Sequence, residues 1–346
     1  MTILTETIGV VIGVDTHRDT HTAAVIEPRT GAVLGERTAP TTAEGYQDLI
    51  EFARSYGRVQ RWSIEGTCTY GTDFTRVLIA AGETVGEIDR PKRPPRRGGK
   101  SDSIDAIRAG REALAVSRLA IPRQGCQRDA IATSLIVRRS AVEAVVKAQT
   151  QLKALIVTSP DELRAQVRGR SDTYMLQACR DLVAVDGADI ETVTRVNALV
   201  GLATRIALLN KEADMWEQQL RRLIMQWRPE LLDRVGVGPI SAAHLLCAWS
   251  HPGRFRSEAA FAMLAGAAPI PASSGQTVRY RMNRRGDRQL NQTLHTIAMT
   301  RMRYDDNTKA YVQRRLSEGK QPREIRRCLK RYIARELFRL MENQPG

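Results

Sequence analysis

Four carboxylates in the first third of the chain, and one serine motif far downstream, have the types and spacing to do chemistry. The carboxylates belong to Asp15, Glu65, Asp102 and Asp105. Hard divalent cations prefer oxygen ligands, and two such ions about 4 Å apart can stabilise both the entering and the leaving oxygen of phosphoryl transfer. The motif Ser273-Ser274-Gly275 lies in an arginine-rich segment and offers a nucleophile among cations. Together these groups indicate chemistry on a phosphodiester.

The first two acids end runs of residues that are typical of strands. Apolar, β-rich runs and a turn motif predict an antiparallel meander, followed by helix, strand, helix and strand. The predicted strands are Ile8–Asp15, Thr22–Ile26, Ala32–Thr38, Trp62–Glu65 and Thr84–Ile88. The order βββαβαβ predicts an α/β ribonuclease-H-like domain, in which the first and fourth strands each end in a carboxylate.

Asp102 and Asp105 belong to a predicted helix that begins near Ser101. Residues three apart lie on one helix face, and the positive end of the helix dipole also favours anions there. Each acid alone has an ordinary alternative as a helix cap or a surface charge, and this applies most to Asp102. The set of four in order favours a metal site.

The segment around Asp15, Ile12-Gly13-Val14-Asp15-Thr16-His17, also resembles the phosphate loop of sugar kinases and actin-like ATPases. A kinase would need a second glycine-rich phosphate or adenosine motif, which the sequence lacks. An ATP-binding enzyme is therefore a disfavoured alternative, and a non-enzymatic nucleic-acid binder is the least favoured.

Charge is distributed unevenly along the 346 residues. Residues 1–89 carry a net charge of −6, whereas the whole chain carries +15, so that the remainder carries +21. Cations concentrate in three runs, Arg90–Arg111, Arg279–Arg303 and Arg314–Arg339. A single run can be a solvated helix face, but three favour a nucleic-acid partner. Because aromatic residues make up only 5%, contacts to the backbone and to duplexes should dominate over base stacking.

Residues 126 to 227 are predicted to be mainly helical, with one long seam in 3-4 spacing. The seam contains Val196, Leu199, Ala203, Ile206, Asn210, Ala213, Glu217, Leu220, Ile224 and Trp227. It predicts either a coiled coil between chains or the buried face of a helical hairpin, and polar seam residues favour the first. Beyond it, Gly236-Val237-Gly238 could let the backbone approach a phosphate, or form a tight helical turn.

These motifs, in this order, resemble the insertion-sequence-110 transposase family, the DEDD transposases known as bridge-RNA-guided recombinases. The resemblance covers nearly the whole chain. The matching motifs are Gly13-Val14-Asp15, Ile64-Glu65-Gly66-Thr67, Asp102-x-x-Asp105-Ala106, Gly236-Val237-Gly238, Phe261-Ala262-Met263-Leu264-Ala265-Gly266, Ser274-Gly275 and Arg284-Arg285-Gly286-Asp287. The family implies a RuvC-like domain at 1–120, a helical coiled-coil region at 121–228 and a mainly α C-terminal transposase domain at 229–346.

The resemblance implies a composite active site. The four acids would bind Mg²⁺, two ions per site, and Ser274, favoured over Ser273, would attack DNA to give a phosphoserine intermediate. Donor and target double-stranded DNA and a bridge RNA would be the partners of a homodimer or homotetramer. Nucleic-acid contacts are expected at Gly236, Gly238, Arg279, Arg281, Arg284, Arg285 and Arg288. A RuvC-like nuclease or junction resolvase that uses water instead of serine is the main alternative.

The expected location follows from the partners and from what the sequence lacks. Neither a targeting segment nor a membrane span is expected. The protein is therefore expected in the prokaryotic cytoplasm, and at the nucleoid when it acts.

Overall fold

The computed structural model describes residues 9–88, 102–116, 119–168, 171–271, 280–283 and 286–343. The chain divides into two compact units. The N-terminal unit contains Met1–Gly125 and Trp249–Arg256, and the helical unit contains Cys126–Ala248 and Ser257–Gly346. The three-part division at residues 120 and 228 stays a prediction.

The N-terminal unit is a mixed five-stranded sheet with flanking helices, as the sequence predicts. Its elements are β1 (Val10–Thr16), β2 (Thr20–Ile26), β3 (Val33–Pro40), α1 (Ala43–Arg54), β4 (Val59–Glu65), α2 (Thr72–Ala80), β5 (Val85–Ile88) and α3 (Asp102–Ala115). The strand order is β3-β2-β1-β4-β5. The first three strands pair antiparallel, and β4 and β5 continue the sheet parallel to β1. Apolar side chains of β1, α1, β4 and α2 form the main core.

The parallel pairing of β1 with β4 determines where the first two acids lie. The carboxyl ends of two parallel neighbours meet at the same edge of a sheet, so that the last residues of both strands face the same region. Thr16 fixes this edge, because its hydroxyl donates a 2.9 Å hydrogen bond to the carbonyl oxygen of Glu65.

A short downstream segment completes the N-terminal unit. Ser250 has a left-handed backbone, with φ of 76°. Its hydroxyl accepts a 2.9 Å hydrogen bond from the Gln124 amide and lies 3.0 Å from the Gln124 carbonyl oxygen, to which it can donate. Arg254 donates a 3.0 Å hydrogen bond to the Ile121 carbonyl oxygen. Residues 249–256 are thus joined to residues more than a hundred positions earlier.

The helical unit is mainly α, which agrees with the predicted fold class. Its elements are α4 (Cys126–Val157), α5 (Asp161–Val167), α6 (Asp172–Arg180), α7 (Ile190–Trp227), a short 3-10 turn (Pro229–Leu231), α8 (Pro239–Trp249), α9 (Glu258–Leu264), β6 (Pro269–Pro271), β7 (Tyr280–Met282), α10 (Arg288–Tyr304), α11 (Asp306–Ser317) and α12 (Pro322–Glu342). The strands β6 and β7 pair antiparallel.

The predicted seam packs within the chain, as the second of the two alternatives states. Val196, Leu199, Ala203 and Ile206 of α7 are buried in one cluster with apolar residues of α4. The polar interruption Glu217 is explained by an ion pair with Arg138 of α4 at 2.8 Å. The seam is therefore the buried face of a helical hairpin formed by α4 and α7.

The helix α7 is also the one helix among the described residues that is long and apolar enough to cross a membrane. The core helix of a soluble protein passes the same test of length and composition. The burial of its seam against α4 accounts for the apolar residues on that face.

Candidate metal centre

The centre is built around Asp15, near the carboxyl end of β1. Every residue from Val10 to Val14 is buried, because β1 is a central strand covered on both faces. Asp15 continues this run and is only 9% exposed. A buried carboxylate is unfavourable without compensating partners. The surroundings of Asp15 therefore determine what it can do.

Helix α3 brings the third and fourth acids to the same edge of the sheet. Its buried face consists of small residues, among them Ala106, Ala109 and Gly110. A methyl group at Gly13 would come closer than 3.0 Å to the backbone of Ala106 and Gly110. Only glycine at position 13 allows α3 to lie this close to β1, and that closeness places the first turn of the helix beside Asp15.

The two acids of α3 differ in their surroundings. The side chain of Asp102 is 51% exposed, whereas that of Asp105 is 21% exposed. Asp105 also lies 3.0 Å from the guanidinium of Arg108, one turn further along α3. That contact partly neutralises Asp105 and orients its carboxylate.

A histidine that the sequence interpretation did not include lies between the acids. The Nδ1 atom of His17 is 3.6 Å from an Asp15 carboxylate oxygen and 3.7 Å from one of Asp102. This nitrogen is buried without a hydrogen-bond partner among the described residues. The signal was present in the sequence, because residues two apart along an extended chain face the same side, and His17 follows Asp15 by two.

The four acids interact electrostatically at Asp15. Burial raises the pKa of the Asp15 carboxyl above its usual range, while His17 opposes the shift. The negative charges of Asp105, Glu65 and Asp102 raise the pKa further. All four predicted acids are therefore close enough to affect the same carboxyl group. Like charges gathered around a buried carboxylate favour a cation at that position.

The donor atoms suit a divalent cation. Asp15, His17 and Asp102 each offer one ligand atom, and these atoms lie within 4.8 Å of one another. A positive ion among these donors would give the unpartnered Nδ1 of His17 a ligand contact. It would also stabilise the ionised form of Asp15, whose pKa is otherwise raised. Carboxylates suit Mg²⁺ and Mn²⁺, whereas an imidazole ligand is less usual for Mg²⁺.

The serine motif and several predicted arginines fall outside the described residues. This applies to Ser273, Ser274, Arg279, Arg284 and Arg285. Of the remaining two arginines, Arg281 belongs to β7, and Arg288 is the first residue of α10 and is exposed.

The two glycines of the Gly236-Val237-Gly238 motif have different surroundings. Gly236 has a left-handed backbone, with φ of 82°, and a methyl group there would lie 3.0 Å from the Ile297 carbonyl oxygen of α10. A tight turn packed against α10 accounts for this glycine. Gly238 has open space where a side chain would be. A role for either glycine in binding nucleic acid stays a prediction.

Two family models match the chain. A DEDD transposase model of the IS110 group matches residues 12–159, which include all four acids. The model described as the transposase IS116/IS110/IS902 family matches residues 229–313. No curated protein matches the chain. The two matches cover both parts of the predicted active site, and the chain belongs to the IS110 family of transposases, enzymes that act on DNA by phosphoryl transfer.

Proposed function

We propose that this transposase exchanges DNA strands of its own insertion sequence through a phosphoserine intermediate. The observation that supports the proposal most strongly is the convergence of a buried Asp15 with the acids of α3 at the edge of the sheet. Such a cluster of carboxylates has little structural use, because the charges repel one another. It is the arrangement expected of a site that handles phosphate through divalent cations.

In this proposal Asp15, Glu65, Asp102 and Asp105 hold two Mg²⁺ ions, and His17 is a further ligand or orients Asp15. The ions supply positive charge that stabilises the developing negative charge on the phosphate oxygens. The protein provides the geometry: the ends of β1 and β4 fix the first two carboxylates, and the contact of α3 with Gly13 fixes the others.

The nucleophile in the proposal is Ser274. Its oxygen forms a bond to phosphorus while the bond from phosphorus to one deoxyribose oxygen breaks. The departing oxygen takes up a proton and becomes a free hydroxyl, and the serine proton passes to a base or to solvent. A second hydroxyl then attacks the phosphoserine and restores the serine, so that the energy of the phosphodiester bond is conserved.

The proposed partners are donor and target double-stranded DNA and a bridge RNA, bound by a homodimer or homotetramer. In such an assembly the serine of one chain would act with the carboxylates of another. The positive charge from Arg90 onward supports nucleic-acid partners, because neutralising phosphates releases condensed counterions. The arginines near the serine support phosphate contacts, since the guanidinium group binds phosphate in a bidentate manner.

The experiment that tests this proposal is capture of the covalent intermediate. Purified protein is incubated with insertion-sequence junction DNA, the RNA transcribed beside the gene and Mg²⁺, and then denatured. We expect a protein–DNA adduct with the natural protein and with the Ser273→Ala control, and none with Ser274→Ala. An adduct that persists in Ser274→Ala, or that disappears only in Ser273→Ala, would identify a different nucleophile.

A metal-dependent nuclease or junction resolvase is the second candidate. The observation that favours it is that the four acids come together within the N-terminal unit. In that case water would be the nucleophile and Ser274 would be structural. Cleavage of DNA by Ser274→Ala at the natural rate, without an adduct, would support this candidate.

A further inference from the structure

Helix α12 has one buried face and one strongly basic face. Its buried residues include Ile325, Leu329, Ile333 and Leu337, which face the neighbouring helices of the helical unit. On the opposite side Arg323, Arg327 and Arg331 recur at intervals of four residues, and all three are exposed. Residues four apart lie one above the other along a helix, so that these three form a single stripe. We call it the α12 arginine stripe.

Among the described residues, no acid pairs with the arginines of the stripe. Between Glu324 and Glu336 the helix contains no Asp or Glu. Glu324 accepts a hydrogen bond from the Gln321 amide at the helix start, and Glu336 pairs with Arg301 of α10. Within the part of the chain that the structure describes, the three stripe arginines have no ion pair.

Other arginines of the same helix are neutralised. Arg335 and Arg339 both contact the carboxylate of Glu258 at the start of α9. These two residues have a structural role, because they attach the end of α12 to α9. Paired arginines of α12 therefore stabilise the fold, whereas the arginines of the stripe make no ion pair with a described residue that would do so.

The stripe is unfavourable in the isolated protein. Like charges at this helical spacing repel one another. The effect also reaches Lys330, whose pKa is lowered by burial and then by the charge of Arg327. A ligand that brings negative charge to this face would remove the repulsion.

We infer that the α12 arginine stripe binds the phosphodiester backbone of a nucleic acid, as a site separate from the metal centre. The stripe extends about 12 Å along the helix, and a duplex carries one negative charge per about 1.7 Å of its axis, so that several phosphates fit along it. Arginine suits this role because its planar group contacts phosphate oxygens in pairs. Backbone contacts carry no sequence information, so that the stripe fixes position and not specificity.

The test compares two variants of the full-length protein that differ from it by the same charge. In the stripe variant Arg323, Arg327 and Arg331 are replaced by Gln. In the control, the exposed α7 arginines Arg205, Arg221 and Arg222 of the same unit are replaced by Gln. Binding of a duplex DNA of arbitrary sequence and of an RNA hairpin is measured over a range of salt concentrations.

For the stripe variant we expect affinity to fall roughly tenfold or more, and the slope of log K against log salt to become shallower by about 0.9 for each phosphate that the variant no longer neutralises. The control should keep the natural slope. The substrate whose affinity falls identifies DNA or RNA as the ligand of the stripe. Because the measurement is binding, it does not depend on whether Ser274 is the nucleophile.

Three results would overturn the inference. The first is an unchanged salt slope, and the second is an equal decrease of affinity in both variants. The third is unchanged binding to DNA and RNA together with weaker binding to polyglutamate, which is measured in the same way as a probe for an acidic protein partner. Thermal unfolding checks that the stripe variant folds, and we expect it to be at least as stable as the natural protein, since repulsion is removed. Should the triple variant not fold, Arg327→Gln alone is expected to make the slope shallower by about 0.9.

Discussion

Replacement of Gly13 by Ala tests how the metal centre is positioned. The added methyl group would lie closer than 3.0 Å to backbone atoms of Ala106 and Gly110. Carbon atoms normally approach to about 3.5–4.0 Å, so that α3 must move away from β1 by an amount on the order of 1 Å. Backbone atoms of a helix cannot give way individually, and the whole helix carries Asp102 and Asp105 with it.

The expected magnitude follows from overpacking. Forcing an extra carbon into a packed core typically costs about 1–3 kcal/mol of unfolding free energy. Denaturant unfolding of the purified protein measures this decrease. Displacement of two ligands also weakens cation binding, for which we expect a decrease of about 10-fold or more in a calorimetric titration with Mn²⁺ or Mg²⁺.

Two further glycines serve as controls. Gly201 lies within α7 with open space around it, so that Gly201→Ala should stabilise the helix by up to about 1 kcal/mol and leave cation binding unchanged. A methyl group at Gly110 would lie 2.6 Å from a side-chain carbon of buried Ile26 but no closer than 3.3 Å to backbone atoms of β1, so that Gly110→Ala should have a smaller effect than Gly13→Ala. Natural stability and natural cation affinity in Gly13→Ala would refute the proposed role of this contact.

Three other substitutions test separate features. Asp15→Asn should raise stability in cation-free buffer at neutral pH and abolish the stabilisation by added Mg²⁺; because the folded-state pKa of Asp15 is raised, the gain should shrink as pH falls toward 3.8, which denaturant unfolding across pH would measure. Leu199→Ala in the buried seam should cost about 2–5 kcal/mol, whereas Leu208→Ala, at a position 64% exposed, should cost far less; equal costs would contradict the seam. Burial lowers the pKa of His21, so that the unfolded chain takes up more protons and stability falls as pH drops below 6.5; unfolding of His21→Phe should lack this part of the pH dependence.

Local patterns were sufficient to predict the sheet. Alternation and β-branched content located the strands. The start of β4 was predicted too late, near Trp62, because Gln60 and Arg61 interrupt the apolar run, and the strand in fact begins at Val59. The first-turn position of Asp102 and Asp105 also followed from spacing alone. These features depend on residues close together in sequence, where helix and strand periods determine which side chains share a face.

Features that depend on distant partners could not be predicted. Gly13 and Gly110 pack against each other although they lie almost a hundred positions apart. The residues around each glycine do not distinguish it from a glycine in an ordinary turn. The partner of the α7 seam was open for the same reason, since the spacing shows that a face is apolar but not what covers it. The strand period alone was enough to place His17 on the same side as Asp15. It was not predicted as a site residue because a histidine near an acid has many ordinary explanations.

The attachment of residues 249–256 to the N-terminal unit affects how the chain matures on the ribosome. Gln124 and Ile121 receive their hydrogen bonds from Ser250 and Arg254, which are synthesised well after the sheet. The nascent sheet must therefore wait for the intervening helices before these backbone groups are satisfied. Translation that stops at residue 125 would release a sheet without the hydrogen bonds from Ser250 and Arg254. A gene truncated there should therefore yield a fragment prone to proteolysis.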